Sequence, residues 1–180
     1  MLDVAAASVC RRCALHETRQ RVVIGAGPLD ARLLVVGEAP GRREDEGGEP
    51  FIGRSGQLLT RLIAEELGLG REEYYITNVV KCRPPNNRPP SQPEREACRP
   101  WLEEQLRSQN PAVILCAGAT AARAVLGSSS PVGTLHGQIF TVFGASALAT
   151  YHPAAALRGG SNVERVMRAD LVLVKELLGR

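Results

Sequence analysis

Short apolar runs alternate with amphipathic segments along most of this chain, and this alternation limits the possible folds more than any other feature. Three apolar runs have the length and composition of buried strands: RLLVVG (32–37), YYITNVV (74–80) and PAVILCAG (111–118). Two segments between them have helical spacing, SGQLLTRLIAEEL (55–67), with Ser55 as a candidate N-cap, and ATAARAVLG (119–127). Strands that alternate with helices predict an α/β fold, with a mostly parallel sheet covered on both faces.

The rest of the chain extends the same pattern without a second domain. Residues 93–109 predict a helix that is either broken near Pro100 or begins there, since proline is favoured at the first helical position. A weaker β region spans residues 137–150, and a helix over 163–178 closes the chain. Because no internal repeat interrupts this order, we expect residues 1–180 to form a single domain.

Composition excludes some classes of protein. Hydrophobic residues make up 44% of the chain, which is typical of a globular protein, and the net charge of +3 indicates no particular partner. No segment approaches the ~18 consecutive apolar residues of a membrane span. The N-terminal apolar run is not preceded by positive charge, so it does not resemble a signal peptide. We therefore expect a cytoplasmic protein without membrane association, and a monomer.

Polar, Gly/Pro-rich loops follow three of the predicted strands. They are GEAPGRREDEGGEPFIG (37–53), TNVVKCRPPNN (77–87) and TYHPAAALRGG (150–160). Ligands of open α/β sheets bind beyond the carboxyl ends of the strands, so the chemistry is expected in these loops.

Five residues in these loops are candidates for ligand binding. Gly37 and Gly41 could let the backbone approach a ligand, although such loops often only turn the chain. Phe51 is either a core side chain or a platform on which a planar ring stacks. Asn78 either caps neighbouring backbone or presents a donor and an acceptor to the edge of a base. His152 is either structural or functional, and its position after a β region favours function.

Four of the five cysteines suggest a metal centre. Cys10 and Cys13 form a CxxC pair, whereas Cys82 and Cys98 are separated by a proline-rich stretch. Four thiolates can hold a zinc ion or an iron–sulfur cluster, and the wide second pair suits a bulkier cluster that could tie the proline-rich loop to the N-terminal segment. Zinc, and a free CxxC with two unrelated thiols, remain alternatives. Cys116 lies inside an apolar run and is expected in the core.

Taken together, these segments resemble the family 4 uracil-DNA glycosylases, the iron–sulfur branch of the uracil-DNA glycosylase superfamily. The resemblance is carried by four segments, which occur in this family's order: CRRC, GEAPGRREDEGGEPFIGRSGQLL, YITNVVKCRPPNNRPPSQPEREAC and HPAAALR. It covers nearly the whole chain from Cys10 and implies a three-layer α/β/α fold with a short parallel sheet. It also implies a [4Fe–4S] cluster on Cys10, Cys13, Cys82 and Cys98.

The resemblance also implies roles for individual residues. Phe51 would stack on a uracil flipped out of DNA, Asn78 would hydrogen-bond its O4 and N3, and His152 would stabilise charge at O2. Gly37, Ala39 and Gly41 would line the substrate site. These roles agree with the chemistry, because breaking the glycosidic bond leaves a uracil anion and an oxocarbenium-like sugar.

One departure within the superfamily concerns the acidic group. The best-studied branch has an aspartate at the position of Ala39, so another carboxylate must act here. Glu38 is favoured because it is nearest the strand end, with Glu44 and Asp45 as alternatives.

The resemblance also extends to the DNA. Leu157 is expected to fill the gap left by the flipped base, and Arg158 to contact a phosphate. The leucine stands one position later than in the best-studied branch.

The function that follows is hydrolytic removal of uracil from single- or double-stranded DNA, leaving an abasic site. Neither Lys81 nor Lys175 is an obvious Schiff-base lysine, so no lyase activity is expected. Covalent capture of DNA is not expected either, because RPPNNRPP (83–90) contains no histidine. The competing hypotheses are a non-catalytic metal module that binds nucleic acid and an electron-transfer protein. A binding module would not need Glu38, Phe51, Asn78 and His152 together in one pocket. An electron-transfer protein of the ferredoxin type would have close-packed cysteines, which this sequence lacks.

Overall fold

A five-stranded sheet forms the centre of the computed structural model, which describes residues 3–179. The strands are β1 (Leu33–Gly37), β2 (Tyr75–Asn78), β3 (Val113–Ala117), β4 (Phe140–Val142) and β5 (Ala145–Thr150). Their order in the sheet is β2-β1-β3-β5-β4, and all neighbours are parallel except β4, which pairs antiparallel with β5. The mostly parallel sheet expected from the sequence is confirmed.

Eight helices connect or flank these strands within the described residues. They are α1 (Val4–Ser8), α2 (Arg42–Gly47), α3 (Arg54–Leu67), α4 (Gln92–Gln109), α5 (Ala119–Leu126), α6 (Val132–Leu135), α7 (Pro153–Gly159) and α8 (Ser161–Leu177). Short 3₁₀ turns lie at Ala14–Glu17, Arg71–Glu73 and Pro85–Asn87.

The sheet is buried on both faces because successive side chains of each strand point to opposite sides. On β1, Leu34 and Val36 pack with helices α4 and α5, whereas Leu33 and Val35 pack with α3 and α8. Full burial of one such aliphatic side chain stabilises a fold by about 1.5–3 kcal/mol. Two apolar layers on one sheet confirm the three-layer α/β/α architecture, and Cys116 lies fully buried in one of them.

Several local predictions differ from the structure. Helix α3 begins at Arg54, so its N-cap is Gly53 and not Ser55. Helix α4 is continuous through Pro100 and begins near Ser91, whose backbone N–H donates to the carboxylate of Glu94 at 2.7 Å. Proline is tolerated inside a helix only at the loss of one backbone hydrogen bond, which the packing of the rest of α4 offsets.

Two of the predicted loops contain helices. The glycine-rich segment after β1 holds α2, and the segment after β5 holds α7, which has Pro153 at its first position. No helix within residues 3–179 has both the length and the apolar composition needed to cross a bilayer.

Candidate active site

A cleft lies where the carboxyl ends of β1, β2 and β5 meet, as expected for an open α/β sheet. Its volume is about 610 Å³. The structure brings seven of the predicted site residues to its walls: Glu38, Ala39, Gly41, Phe51, Asn78, His152 and Arg158. The proline-rich segment after β2 supplies a further wall through Pro84, Asn87, Arg88 and Pro89.

Phe51 is held against the cleft by tight backbone packing. Its φ of 61° is in the left-handed region, which residues other than glycine seldom adopt. Gly56 makes this possible, because a Cβ there would lie 1.9 Å from the carbonyl oxygen of Phe51. The ring of Phe51 lies over Gly37, where a Cβ would come within 2.3 Å of the ring's Cζ. Gly37 therefore stands behind the cleft wall and lets the ring approach the sheet.

Asn78 is the last residue of β2 and pairs with Gly37 in the sheet register. It is 2% exposed and lines the cleft, and its Oδ1 would lie 2.5 Å from a Cβ at Gly37. Within residues 3–179, its side-chain amide makes no hydrogen bond to another residue, so a donor and an acceptor remain available in the cleft.

His152 is the N-cap of α7, and its ring centroid lies 6.4 Å from that of Phe51. Its Nδ1 accepts the backbone N–H of Ala154 at 3.2 Å. Because a backbone N–H can only donate, the neutral ring carries its proton on Nε2. Burial lowers the pKa of His152, and Arg158 also lowers it, while the carboxylate of Glu38 opposes the change. The cleft histidine is thus a neutral hydrogen-bond donor at pH 7.

Glu38 is the acidic side chain best placed to act in the cleft. It follows β1 directly, is partly exposed, and accepts a short hydrogen bond on Oε2 from the hydroxyl of Thr120 at the start of α5. The other oxygen, Oε1, has no protein donor among the described residues. Thr120 therefore orients a carboxylate that still has one oxygen available.

The two alternative acids brace the loop. Glu44 accepts the backbone N–H groups of Gly41 at 3.1 Å and Gly53 at 2.7 Å, one on each oxygen. Asp45 is 1% exposed and accepts the backbone N–H groups of residues 20 and 21. Both oxygens of Glu44 are thus engaged by backbone within the loop that carries Phe51, whereas Asp45 uses one oxygen to tie α2 to residues 20 and 21.

Leu157 and Arg158 occupy the exposed surface of α7. Leu157 is 48% exposed and lies outside the cleft lining, whereas Arg158 contributes to the lining. The role of Leu157 as a wedge into DNA stays a prediction.

The proline-rich wall of the cleft has a constrained backbone and a side-chain tie to α4. Asn86 and Asn87 both adopt left-handed backbone conformations, with φ of 55° and 54°. Arg88 forms a bidentate pair with Glu94, with N–O distances of 2.8 and 2.6 Å. This pair ties the wall to the first turn of α4.

The four predicted cysteine ligands line one small cavity, which shares no lining residue with the cleft: Cys10, Cys13, Cys82 and Cys98. Three N–H groups donate to three of their sulfurs at 3.3–3.4 Å, from the guanidinium of Arg19 to Cys82, from the indole of Trp101 to Cys10, and from the backbone of Lys81 to Cys98. Such donors stabilise sulfur-borne negative charge, as thiolates bound to a metal would carry.

The same cavity shows features that a bound metal would have to overcome. Burial raises the pKa of Cys82 to about 11, against the opposing effect of Arg19, and burial also raises the pKa of Cys98. Residues 3–179 contain no group of three or more His, Cys, Asp or Glu side chains arranged to hold a metal ion. The metal centre on these cysteines stays a prediction.

Sequence reasoning missed three of the residues that shape the two sites. Thr120 lies 82 positions from Glu38 and gave no local signal. Trp101 lies 91 positions from Cys10, although a single tryptophan three residues after Cys98 could have suggested it. Lys81 directly precedes Cys82, yet only the structure shows that it is 2% exposed.

Comparison with known proteins places the chain in a family. The family model of the uracil DNA glycosylase superfamily matches residues 24–172. The type-4 uracil-DNA glycosylase of Saccharolobus solfataricus is 42% identical over 98% of this chain and 86% of its own length. That of Thermotoga maritima is 43% identical over 94% of this chain and 89% of its own length.

A type-5 uracil-DNA glycosylase of Pyrobaculum aerophilum is more distant, at 34% identity over 71% of this chain and 63% of its own length. The type-4 proteins thus have a higher sequence identity to this chain, and they match it over nearly its whole length. The chain belongs to the uracil-DNA glycosylase superfamily and, within it, to the type-4 uracil-DNA glycosylases.

Proposed function

We propose that this chain removes uracil from DNA by hydrolysing its N-glycosidic bond, which releases free uracil and leaves an abasic site. One observation carries the proposal. A planar ring, an unpaired amide and a neutral histidine donor converge in one cleft, on Phe51, Asn78 and His152. The family of the chain supports the same conclusion.

Binding in this cleft requires the base to leave the DNA stack, which costs a few kcal/mol. Stacking on Phe51 and hydrogen bonds to the amide of Asn78 offset part of that cost. The amide can donate to O4 and accept from N3–H of uracil, whereas cytosine presents the opposite pattern at these two positions. Asn78 therefore selects the base as well as binding it.

Departure of the base is assisted at O2. As the glycosidic bond breaks, negative charge develops on uracil, and the Nε2–H of His152 donates to it. A neutral donor does not protonate the base before the bond breaks. Its hydrogen bond to O2 is stronger in the transition state than in the bound substrate, because negative charge has by then developed on uracil. Glu38 carries negative charge near the sugar, where it stabilises the oxocarbenium-like transition state and orients the attacking water through its free oxygen.

Contacts to the DNA come from α7. Leu157 fills the gap left by the flipped base in a duplex, and Arg158 contacts a neighbouring phosphate. Ala39 and Gly41 line the substrate site with small residues, and Gly37 behind the wall leaves room for the ring of Phe51 and the amide of Asn78. The substrate is uracil-containing DNA, single- or double-stranded.

We also propose that Cys10, Cys13, Cys82 and Cys98 hold a [4Fe–4S] cluster. The fit rests on the donor set, since four free thiols share one cavity and three of them accept N–H groups. The cluster would act as a structural cross-link between the N-terminal segment, the residues after β2 and α4. The residues that contact uracil lie in the separate cleft.

The enzyme is monofunctional in this proposal. The Nζ of Lys81 is buried and already donates to two oxygens, and Lys175 lies on α8, so neither side chain is free in the cleft for a Schiff base. We propose further that residues 1–180 act as a single domain and as a monomer in the cytoplasm. Residues 1, 2 and 180 of that range lie outside the described part of the chain.

The decisive experiment is incubation with a uracil-containing oligonucleotide, followed by alkaline cleavage of the abasic product. We expect uracil release by the wild type, and a decrease of about 10² or more for His152→Ala and for Asn78→Ala, as for loss of one transition-state donor. Asn162→Ala, on the exposed surface of α8, is the matched control and should keep full activity. Binding of the oligonucleotide without release of uracil would instead identify a non-catalytic module.

A further inference from the structure

A groove outside the active-site cleft lies between helices α4 and α5, and its volume is about 340 Å³. The buried side chains of Val79 and Leu102 form its apolar part. Three arginines also line it, two from α4 and one from α5: Arg95, Arg99 and Arg123. This feature, the α4–α5 groove, shares no lining residue with the active-site cleft.

The carboxylates on this side of α4 compensate only part of the positive charge. Glu96 lines the groove, but it accepts a hydrogen bond from the side-chain amide of Gln92 at 2.7 Å. Arg99 pairs with Glu103 at 3.3 Å, and both side chains are exposed. An exposed ion pair of this kind is weak, so the guanidinium of Arg99 can exchange its partner for another anion at little cost.

The other two arginines are still more available to an anion. The guanidinium of Arg95 donates to a neutral oxygen, the backbone carbonyl of Pro90, at 2.6 Å. Arg123 is exposed and forms no ion pair within residues 3–179. An anion that enters the groove therefore meets the guanidinium of Arg123 without first displacing a carboxylate.

The α4–α5 groove adjoins the active-site cleft along three segments of the chain. Val79 directly follows Asn78 of the cleft, and Pro90 directly follows the proline-rich residues that line it. Arg123 lies three residues after Thr120, whose hydroxyl bonds the cleft carboxylate, and is thus about 4.5 Å farther along α5. A strand of DNA that leaves the cleft on this side reaches the groove within a short distance.

The chemistry of the groove fits phosphate groups. Guanidinium groups bind phosphate oxygens through paired N–H donors, and their charge complements that of the DNA backbone. An acidic protein segment would offer a similar charge. The position of the groove beside the proposed uracil site favours DNA, because the same strand could then occupy both sites.

We propose that the α4–α5 groove binds phosphates of the nucleotides that flank the uracil in the DNA. These phosphates lie outside the uracil nucleotide itself, because the groove and the cleft have separate linings. The proposal rests on the proposed function, since it concerns the same DNA substrate. It adds that part of the affinity for DNA comes from a surface that a very short substrate cannot reach.

A matched pair of variants tests the groove. Arg123→Gln removes one positive charge from it, and no hydrogen bond within residues 3–179 is lost. Lys175→Gln removes one positive charge from the last turn of α8, which packs on the opposite face of the sheet. Both variants are therefore expected to fold, which is checked by their melting temperatures.

Two substrates separate the groove from the cleft. One is a long single-stranded oligonucleotide with a central uracil, and the other is a trinucleotide with the uracil in the middle. We expect Arg123→Gln to lower kcat/KM on the long substrate about two- to fivefold, as for loss of one exposed ion pair. Its kcat/KM on the trinucleotide should equal that of the wild type, and Lys175→Gln should match the wild type on both.

The salt dependence of binding provides a readout that a merely structural role would not change. Binding is measured on the long oligonucleotide with a stable abasic-site analogue in place of the uracil nucleotide, so no reaction occurs. For single strands, each phosphate contact contributes about 0.7 to the slope of log affinity against log salt concentration. We expect Arg123→Gln to reduce the slope by about this amount and Lys175→Gln to leave it unchanged.

The outcomes keep this proposal separate from the function on which it rests. An unchanged slope in Arg123→Gln would overturn the proposal, and so would an equal loss of kcat/KM on both substrates. Binding of poly-glutamate that is lost in Arg123→Gln, while DNA binding is kept, would assign the groove to an acidic polypeptide and likewise overturn it. Absence of uracil release by the wild type would refute the proposed function, whereas the slopes, measured without any reaction, would still decide whether the groove binds DNA.

Discussion

Gly37→Ala is the smallest substitution that should disable the base pocket. An added Cβ would lie 2.3 Å from Cζ and 2.7 Å from Cε2 of Phe51, and 2.5 Å from Oδ1 of Asn78. Ordinary contacts between carbon atoms are about 3.5–4.0 Å, so the ring must move by more than about 1 Å. The same methyl group meets both residues that are proposed to bind uracil.

The surroundings leave the ring little freedom to move away. The backbone of Phe51 rests on Gly56, where a Cβ would lie 1.9 Å from its carbonyl oxygen, and its left-handed conformation restricts adjustment. Overpacking of this kind costs about 1–3 kcal/mol of folding free energy. A displacement of about 1 Å in a catalytic site can lower the rate about 10²-fold. We therefore expect a loss of activity that exceeds the loss of stability.

The assay compares kcat/KM for uracil release with the free energy of unfolding in urea. Gly70→Ala is the matched control, since its Cβ would also lie 2.3 Å from a heavy atom, but this atom is the carboxylate end of the exposed Glu72 side chain. That side chain can swing aside, so the control should keep both activity and stability. Wild-type kcat/KM in Gly37→Ala would refute the assignment of Phe51 and Asn78 as the walls of the base pocket.

Three further predictions follow from the geometry. Burial lowers the pKa of His152, so the ring stays neutral below the ordinary histidine pKa of about 6.5. We therefore expect kcat/KM to stay level as the pH falls to about 6.5. A decline in kcat/KM that begins at a higher pH would contradict a neutral histidine donor. The hydrogen bonds from Arg88 lower the pKa of Glu94 to about 2, so their stabilisation is present above the unfolded value of about 4.3 and is lost as pH falls toward 2. Glu94→Gln should thus lower the melting temperature at pH 7 and approach the wild type in acid, and an equal gap at both pH values would rule this out. Thr120→Val removes the hydroxyl that donates to Glu38. We expect kcat to fall about tenfold with KM unchanged, as for the loss of one hydrogen bond to a charged group. An unchanged kcat would show that Thr120 does not orient this carboxylate.

The fold could be predicted from the sequence because its signals are local. The apolar runs that became β1, β2 and β3 are buried on both faces, and such runs have few alternatives in an α/β chain. Boundaries were less accurate where tertiary contacts decide them. Gly53 caps α3 instead of Ser55 because its backbone N–H reaches the carboxylate of Glu44, nine positions away.

The candidate site could be predicted in part, for the same reason. Asn78 ends β2 and His152 follows β5, and the topology brings the ends of the strands together. Nothing in the local sequence distinguishes Glu38 from Glu44 as the acid in the cleft. The two differ in which carboxylate oxygens accept hydrogen bonds from the backbone. Both oxygens of Glu44 do so, which leaves Glu38 as the acid in the cleft. The link from Lys81 to Asn78 also requires a side chain that turns back along its own strand, which periodicity does not reveal.

The segment between Pro84 and Pro90 affects both the rate at which DNA enters the cleft and the affinity with which it binds there. Its prolines have fixed φ angles, and the two consecutive left-handed asparagines make a turn with few alternatives. A surface that already has its bound shape loses little conformational entropy on association. A larger part of the interaction free energy of its contacts therefore contributes to the affinity. We therefore expect this side of the cleft to bind a strand of DNA without first changing its shape.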